Sequence, residues 1–362
     1  VKAADLPTPA LLLDAAKMRA NIARMNAAVA RHGVALRPHL KTAKSAPVAR
    51  EMTAGWSGAV TVSTLKEAEE FAGAGYRDIL YAVGIAPGKL DQAAKLAGTG
   101  VGLTLILDSV AAAKAVAAHP LRWPVLIEID SDGRRAGVAP DDTGRLLGIA
   151  NALAGGAELR GVMTHRGGSY AARSTDELAE HAEAERLAAV TAADTLRAAG
   201  HACPVVSVGS TPTALFARDL TGVTEVRAGV YVFNDLVMAG LGVCGAEDVA
   251  ISVVTSVIGH QPERGWLLVD AGWMALSGDK GRGDSGYGMV AGHPDLIVVS
   301  ANQEHGIIAR RDGAPVDHDR FPIGSQLRIL TNHACATAAQ HGRYHVLEQG
   351  EVAQVWPRFG GW

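Results

Sequence analysis

Between residues 36 and 229 the chain repeats one pattern eight times: a short apolar run of β character, then a stretch able to form a helix. The runs are LRPHLK (36–41), VTVST (60–64), ILYAV (79–83), LTLILD (103–108), VLIEID (125–130), GVMTH (161–165), VVSVG (205–209) and EVRAG (225–229). Most are nearly continuous in apolar character, as expected of parallel strands covered on both faces. Among the intervening stretches, STLKEAEEFAGAG, SVAAAKAVAAH and DELAEHAEAERLAAVTAADTLRAAG read as helices. The last carries Leu178, Ala182, Ala189, Ala193 and Leu196 as an apolar stripe at helical spacing, interrupted by Glu185 and Arg186. Eight such units over about 200 residues predict an α/β fold of the closed (β/α)8, or TIM-barrel, type. An open doubly wound sheet is the alternative, but no GxGxxG follows the first run.

From residue 248 onward the pattern changes. ISVVTSVIGHQ, GWLLVDAG, DLIVVSANQEHGIIAR, QLRILTNHA, YHVLEQG and EVAQVWP are short strands separated by Gly, Pro and Asp turns, and they predict a mostly antiparallel β domain. The expected division is an N-terminal segment 1–9 that could pair with the β domain, a barrel over 10–245 and the β domain over 246–362. The early run ALLLD could pair with either domain. A net charge of −3 without a basic block argues against nucleic acid as a partner. No apolar stretch reaches the roughly 18 residues of a membrane span. The N-terminus lacks a charged region followed by a long apolar one, so no signal peptide is expected. Three cysteines are too few for a disulfide framework and fit a reducing cytoplasm.

Barrels of this kind carry their chemistry at the C-terminal ends of the strands. The runs end in His39 and Lys41, in Glu128 and Asp130 followed by SDGRRAG, in Thr164, His165 and Arg166, in GSTPT, and in RAGVYVF. Strand periodicity puts Arg37, His39 and Lys41 on one face and Leu36, Pro38 and Leu40 on the other. The charged set is then expected inside the barrel, with Lys41 a buried amine suited to nucleophilic work. Lys44 is expected on a helix surface, after Thr42 as N-cap. Gly209, Ser210 and Thr211 precede a helix-like segment and make an anion cradle of backbone N–H groups and hydroxyls, which Gly229 and Tyr231 could complete. A phosphate cradle opposite a strand lysine suggests pyridoxal 5′-phosphate, its aldehyde on Lys41. In TNHACAT, His333 and Cys335 are two apart, and an extended segment would put imidazole and thiol on one face for a metal. His341 and His345 could add ligands, and Glu304 and His305 in NQEHG could support them.

With TPALLLD, LRPHLKT, EIDSDGRRAGV, VGSTPT, RAGVYVF, DAG, QEHG and NHACAT in this order, the chain resembles the D-serine dehydratase-like proteins. These are fold-type III pyridoxal phosphate enzymes related to alanine racemase and D-threonine aldolase. The resemblance covers nearly the whole chain. It implies a pyridoxal phosphate barrel followed by a β domain, assembled as a homodimer. Lys41 would carry the cofactor and take the Cα proton. Arg135 would meet its phenolic oxygen. His165 and Tyr170 would line ring and substrate, and Gly209, Ser210, Thr211, Gly229 and Tyr231 would hold the phosphate. His333 and Cys335 would hold a divalent metal, zinc or else manganese or cobalt, that helps a 3-hydroxyl leave. Arg37, Arg135 and Arg166 are candidates for a second substrate carboxylate.

The implied activity is dehydration of a small D-3-hydroxy amino acid. D-threo-3-hydroxyaspartate, giving oxaloacetate and ammonia, is the substrate expected; D-serine dehydration and aldol cleavage of D-threonine or 3-hydroxy-D-aspartate are the alternatives. The His-x-Cys pair and the VGSTPT cradle favour the dehydratases over the aldolases, which tend to have His-x-Asp and GGGTG. The DAGWMALS stretch offers no tyrosine where the racemases have one. A non-catalytic pyridoxal phosphate carrier and a metal hydrolase on a barrel are the competing classes.

Overall fold

The computed structural model describes residues 2–54, 58–283 and 285–362. After a first strand β1 (Ala10–Asp14), eight short strands follow: β2 (Ala35–Pro38), β3 (Ala59–Val62), β4 (Asp78–Gly84), β5 (Gly102–Leu107), β6 (Pro124–Ile129), β7 (Glu158–Thr164), β8 (Val205–Val208) and β9 (Glu225–Ala228). They match the eight apolar runs. All pair in parallel, in the order β2-β9-β8-β7-β6-β5-β4-β3. A parallel bridge between His39 and Thr61, and the Leu40 N–H on the Thr61 carbonyl at 2.9 Å, bring the two edges together into a nearly closed barrel.

Glu128, His165 and Ser207 share a strand face with Leu126, Met163 and Val205. On that inner face Leu80, Ile106, Leu126 and Met163 form one buried cluster. Full burial of each such side chain stabilises by about 1.5–3 kcal/mol. The other side of the interior is polar. Arg227 on β9 is 4% exposed, donates to the Ser207 hydroxyl at 2.5 Å and to the Thr164 carbonyl at 2.6 Å. Ser207 in turn donates to Glu225 at 2.6 Å. The interior thus holds both a hydrocarbon cluster and a hydrogen-bonded ionic network.

Outside the strands, the long helix Thr175–Ala198 buries Leu178, Ala182, Ala189, Ala193 and Leu196, the stripe read from the sequence. Glu185 is buried on the same face because its carboxylate accepts the Arg166 N–H at 2.8 Å. Arg186 instead turns out to Glu183 and the Thr221 carbonyl.

The second sheet has nine strands: β1 with β10 (Ile251–Gln261), β11 (Trp266–Val269), β12 (Met289–Val290), β13 (His293–Ala301), β14 (Gly306–Arg310), β15 (Gln326–Leu330), β16 (Arg343–Glu348) and β17 (Glu351–Pro357). It is antiparallel except where β1 runs parallel to β16. Residues 10–14 therefore pair in this sheet and not in the barrel with which they were grouped. Lys2 also bridges Glu351 here. The chain clusters into two compact units: Arg24–Lys41 with Met52–Gly229 and Gly361–Trp362, and Val1–Ala23 with Thr42–Glu51 and Val230–Gly360. No helix among the described residues is long and apolar enough to cross a membrane.

Candidate functional site

The strand carrying the lysine alternates as expected: Leu36, Pro38 and Leu40 are buried, Arg37 and His39 are partly exposed. Lys41 differs from expectation. It is exposed, because β2 ends at Pro38 and the lysine stands three residues beyond it, in a turn at the C-terminal rim. Lys44 also differs. It lies just past a turn at φ 44°, before the helix Ala46–Thr53, and its carbonyl accepts the Phe359 N–H at 3.0 Å. Thr42 is not the cap of that helix.

Two neutral imidazoles belong to the same electrostatic neighbourhood as Lys41. Burial, then the charges of Lys41 and Arg227, hold His39 well below its ordinary pKa. His165 is lowered to about 4, chiefly by burial, although its Nδ1 donates to the Gly209 carbonyl at 3.0 Å. The unfolded chain, with a histidine near pKa 6.5, binds the proton first as pH falls. The stability tied to neutral His165 is complete above about pH 6.5 and is lost as pH drops toward 4. Wild-type stability in urea should consequently fall more steeply than that of His165→Gln over this range. Parallel profiles would rule this out.

The loop after β6 is built to present Arg135. Asp130 accepts the N–H groups of Asp132 at 3.1 Å and Gly133 at 2.7 Å, and Val138 closes the base through Asp130 N–H and the Glu128 carbonyl, both at 2.9 Å. The Arg135 side chain is 60% exposed, 3.6 Å from Glu128, whose carboxyl is pushed up by burial. Arg166 donates to His181 at 2.9 Å and to the Ser131 carbonyl. Tyr170, exposed in the turn Gly167–Ala171, has its ring 6.1 Å from that of His165.

Arg37 is paired away from the C-terminal rim. It bonds Glu225 at 2.9 Å and Asp78 at 2.8 Å, the first residues of β9 and β4, at the N-terminal end of the barrel. Shared face did not mean shared layer. Arg227, for which the sequence holds no signal, is the cation held in the interior.

At the end of β8, Gly209 has φ +130°, and a Cβ there would run into the Arg227 carbonyl, so only glycine fits. Ser210 caps the short helix Thr211–Phe216. Its hydroxyl takes the Thr213 N–H at 3.3 Å and its own N–H goes to the Thr213 hydroxyl at 3.0 Å. Pro212 has no N–H. Fewer backbone donors are open here than the sequence suggested. What remains is hydroxyl chemistry, and the Ser210 hydroxyl is itself shared with the hydroxyls of Thr213 at 3.0 Å and Ser169 at 3.4 Å. Gly229 is buried, and so is Tyr231 in the turn Val230–Val232, its phenol pushed up by burial.

In the unit with the nine-stranded sheet, His333 precedes the helix Ala334–Ala339 and Cys335 lies in its first turn. His333 is extended and Cys335 helical, so the segment is extended only in part. The neighbouring Cys335, and after it Asp279, hold the imidazole up at about 9. His333 Nδ1 donates to Asp279 at 2.6 Å. The Thr42 hydroxyl lies 3.1 Å from Cys335 Sγ. Buried Asp235 accepts the Ala334 N–H at 2.9 Å. Of the other candidates, His341 bonds the Ala275 carbonyl at 2.9 Å, His345 sits on β16, and Glu304 and His305 are exposed in the β13–β14 turn. No group of three or more His, Cys, Asp or Glu side chains placed to hold a metal occurs among the described residues. The donors on hand are one imidazole and one thiol, with Asp279 and Thr42 against them. Nothing in the sequence linked Asp279 or Thr42 to this pair.

Residues 13–236 match the family described as alanine racemase, N-terminal domain, and residues 250–347 match the putative serine dehydratase domain. The chain is 54% identical to a D-threo-3-hydroxyaspartate dehydratase of Delftia sp. strain HT23, over 99% of this chain and 98% of that protein. It is 30% identical to a D-serine dehydratase of Dictyostelium discoideum, over 95% of this chain and 94% of that one. A solved structure of a cysteine-to-alanine variant of D-threo-3-hydroxyaspartate dehydratase, in the metal-free form, superposes with a TM-score of 0.97 at 54% identity, covering all of both chains.

Proposed function

The chain belongs to the D-serine dehydratase-like family, in which an alanine racemase-type barrel is joined to a serine dehydratase domain, and from that premise we propose that it is a dehydratase dependent on pyridoxal phosphate and a divalent metal. The reaction is loss of water from a D-3-hydroxy amino acid. With D-threo-3-hydroxyaspartate the resulting enamine takes up water and releases ammonia, leaving oxaloacetate. The observation that carries this is the placement of His333 and Cys335 together at the start of one short helix, with Asp279 and Thr42 against them, in a chain that matches such a dehydratase end to end.

The groups present suit both cofactors. An exposed primary amine, neutral imidazoles, an exposed guanidinium and the hydroxyls of a helix cap are the functions a phosphorylated pyridine aldehyde needs. Lys41 carries the cofactor and its Nζ takes the Cα proton. Arg135, His165 and Tyr170 contact the ring, and Gly209, Ser210, Thr211, Gly229 and Tyr231 hold the phosphate. Pyridoxal phosphate, when bound, supplies the electron sink for the deprotonated carbon. His333 and Cys335 hold the cation, Zn²⁺ by the softness of the thiolate, with Mn²⁺ or Co²⁺ as substitutes. The cation supplies a Lewis acid for the departing 3-hydroxyl. Arg135 and Arg166 are left for the second carboxylate. Assembly as a homodimer and a cytoplasmic location complete the proposal.

Product analysis tests it. Incubation of the purified protein with D-threo-3-hydroxyaspartate should release ammonia and a 2-oxo acid in equal amounts. Glycine and an aldehyde would make it an aldolase, and turnover of D-serine alone would make it a D-serine dehydratase.

A further inference from the structure

We infer that Asp279 is the positioning residue of the metal pair, fixing the tautomer of His333 so that Nε2 is the nitrogen offered to the cation. The inference rests on the proposed metal role of His333 and Cys335. Asp279 Oδ2 accepts the Nδ1 proton at 2.6 Å. A cation displaces the proton of one ring nitrogen only, so an imidazole that goes on donating from Nδ1 offers the lone pair of Nε2, and a carboxylate partner also raises its basicity toward a metal.

The placement of Asp279 is not left to its own side chain. Its backbone N–H reaches the Ser277 hydroxyl at 3.3 Å. Its carbonyl accepts from the Asn332 amide at 3.0 Å, and the same amide donates to the Gly286 carbonyl at 2.8 Å. Asn332 is 2% exposed and is the residue before His333, so imidazole and carboxylate are set from one frame. A Cβ on Gly281 would lie 2.6 Å from the Asn332 side-chain oxygen, which demands glycine in that loop. Ser277 sits at φ 92°, ψ 160°, a conformation other residues leave to glycine. Strain and close packing converge on the turn that delivers Asp279.

The test is cation affinity, measured by titrating the metal-stripped, cofactor-loaded protein with Zn²⁺ against a competing chelator. Co²⁺ serves as the spectroscopic probe. Asp279→Ala should weaken Zn²⁺ binding about 10- to 100-fold, shift the Co²⁺ absorption envelope, and leave the cofactor band in place. Asp279→Glu should recover part of the affinity. Excess Zn²⁺ should restore turnover to Asp279→Ala, which it could not do if the residue only supported the fold. Asp279→Asn, nearly isosteric, serves if the alanine variant does not fold. Unchanged Zn²⁺ affinity in both Asp279→Ala and Asp279→Asn, beside a His333→Ala variant that has lost it, overturns the inference alone. Binding that survives His333→Ala overturns the metal reading, and the inference with it.

Discussion

Replacing Lys41 with alanine should give a folded protein without the visible absorption of bound cofactor and with turnover reduced by more than about 10³-fold. The fold should survive because Lys41 is exposed in a rim turn, where a substitution costs about 0.5 kcal/mol or less. What is lost is chemical: in the proposed function the amine that carries the aldehyde and the base for the Cα proton are one group. Lys44→Ala is the matched control. That lysine sits three residues on and contributes its backbone carbonyl to Phe359, so its alanine variant should keep both absorption and activity. A Lys41→Ala protein with the full absorption band would move the cofactor to another lysine.

The second large effect is expected at Cys335. A Lewis acid on the leaving oxygen is worth several kcal/mol, and each 1.36 kcal/mol is a factor of ten in rate. Cys335→Ala should lower ammonia release by about 10²–10³-fold while the cofactor band stays. Treating the wild type with a strong chelator should reproduce the loss, and added Zn²⁺ should reverse it in the wild type alone. Ammonia release that persists unchanged in both the variant and the chelated wild type would remove the metal from the mechanism.

The barrel was legible because its strands are covered on both faces. Continuous apolar runs such as LTLILD and VLIEID leave little choice of class, and all eight runs reappear as strands. The alternation around Lys41 was legible too. Depth was not. Period two tells which residues share a face, but not which layer of a barrel they occupy, so Arg37 could not be distinguished from the rim groups until Asp78 and Glu225 were placed beside it. Arg227 escaped for the opposite reason: a single arginine in EVRAG looks solvent-facing, and only closure of the sheet turns it inward. Lys41 looked like a buried amine because the apolar run continues through Leu40, whereas Pro38 ends the strand. Ser210 was seen as an anion donor because its competition with Thr213 for the same backbone groups cannot be weighed without coordinates. In the other unit, β12 has only two residues and no sequence signature, and Asp279 lies 54 positions from the histidine it serves.

The divided interior of the barrel bears on how such a protein can change. On the side of Leu80, Ile106, Leu126 and Met163, neighbours are interchangeable in kind, and swaps that conserve volume cost less than about 1.5 kcal/mol. On the side of Arg227, Ser207 and Glu225, each group is the partner of another, and removing one leaves a buried charge or donor unmatched, at about 3–5 kcal/mol. Mutational freedom is therefore lopsided around a single ring of strands. Exchange is cheap within the apolar cluster and costly within the ionic network, which acts as a fixed keel for the barrel.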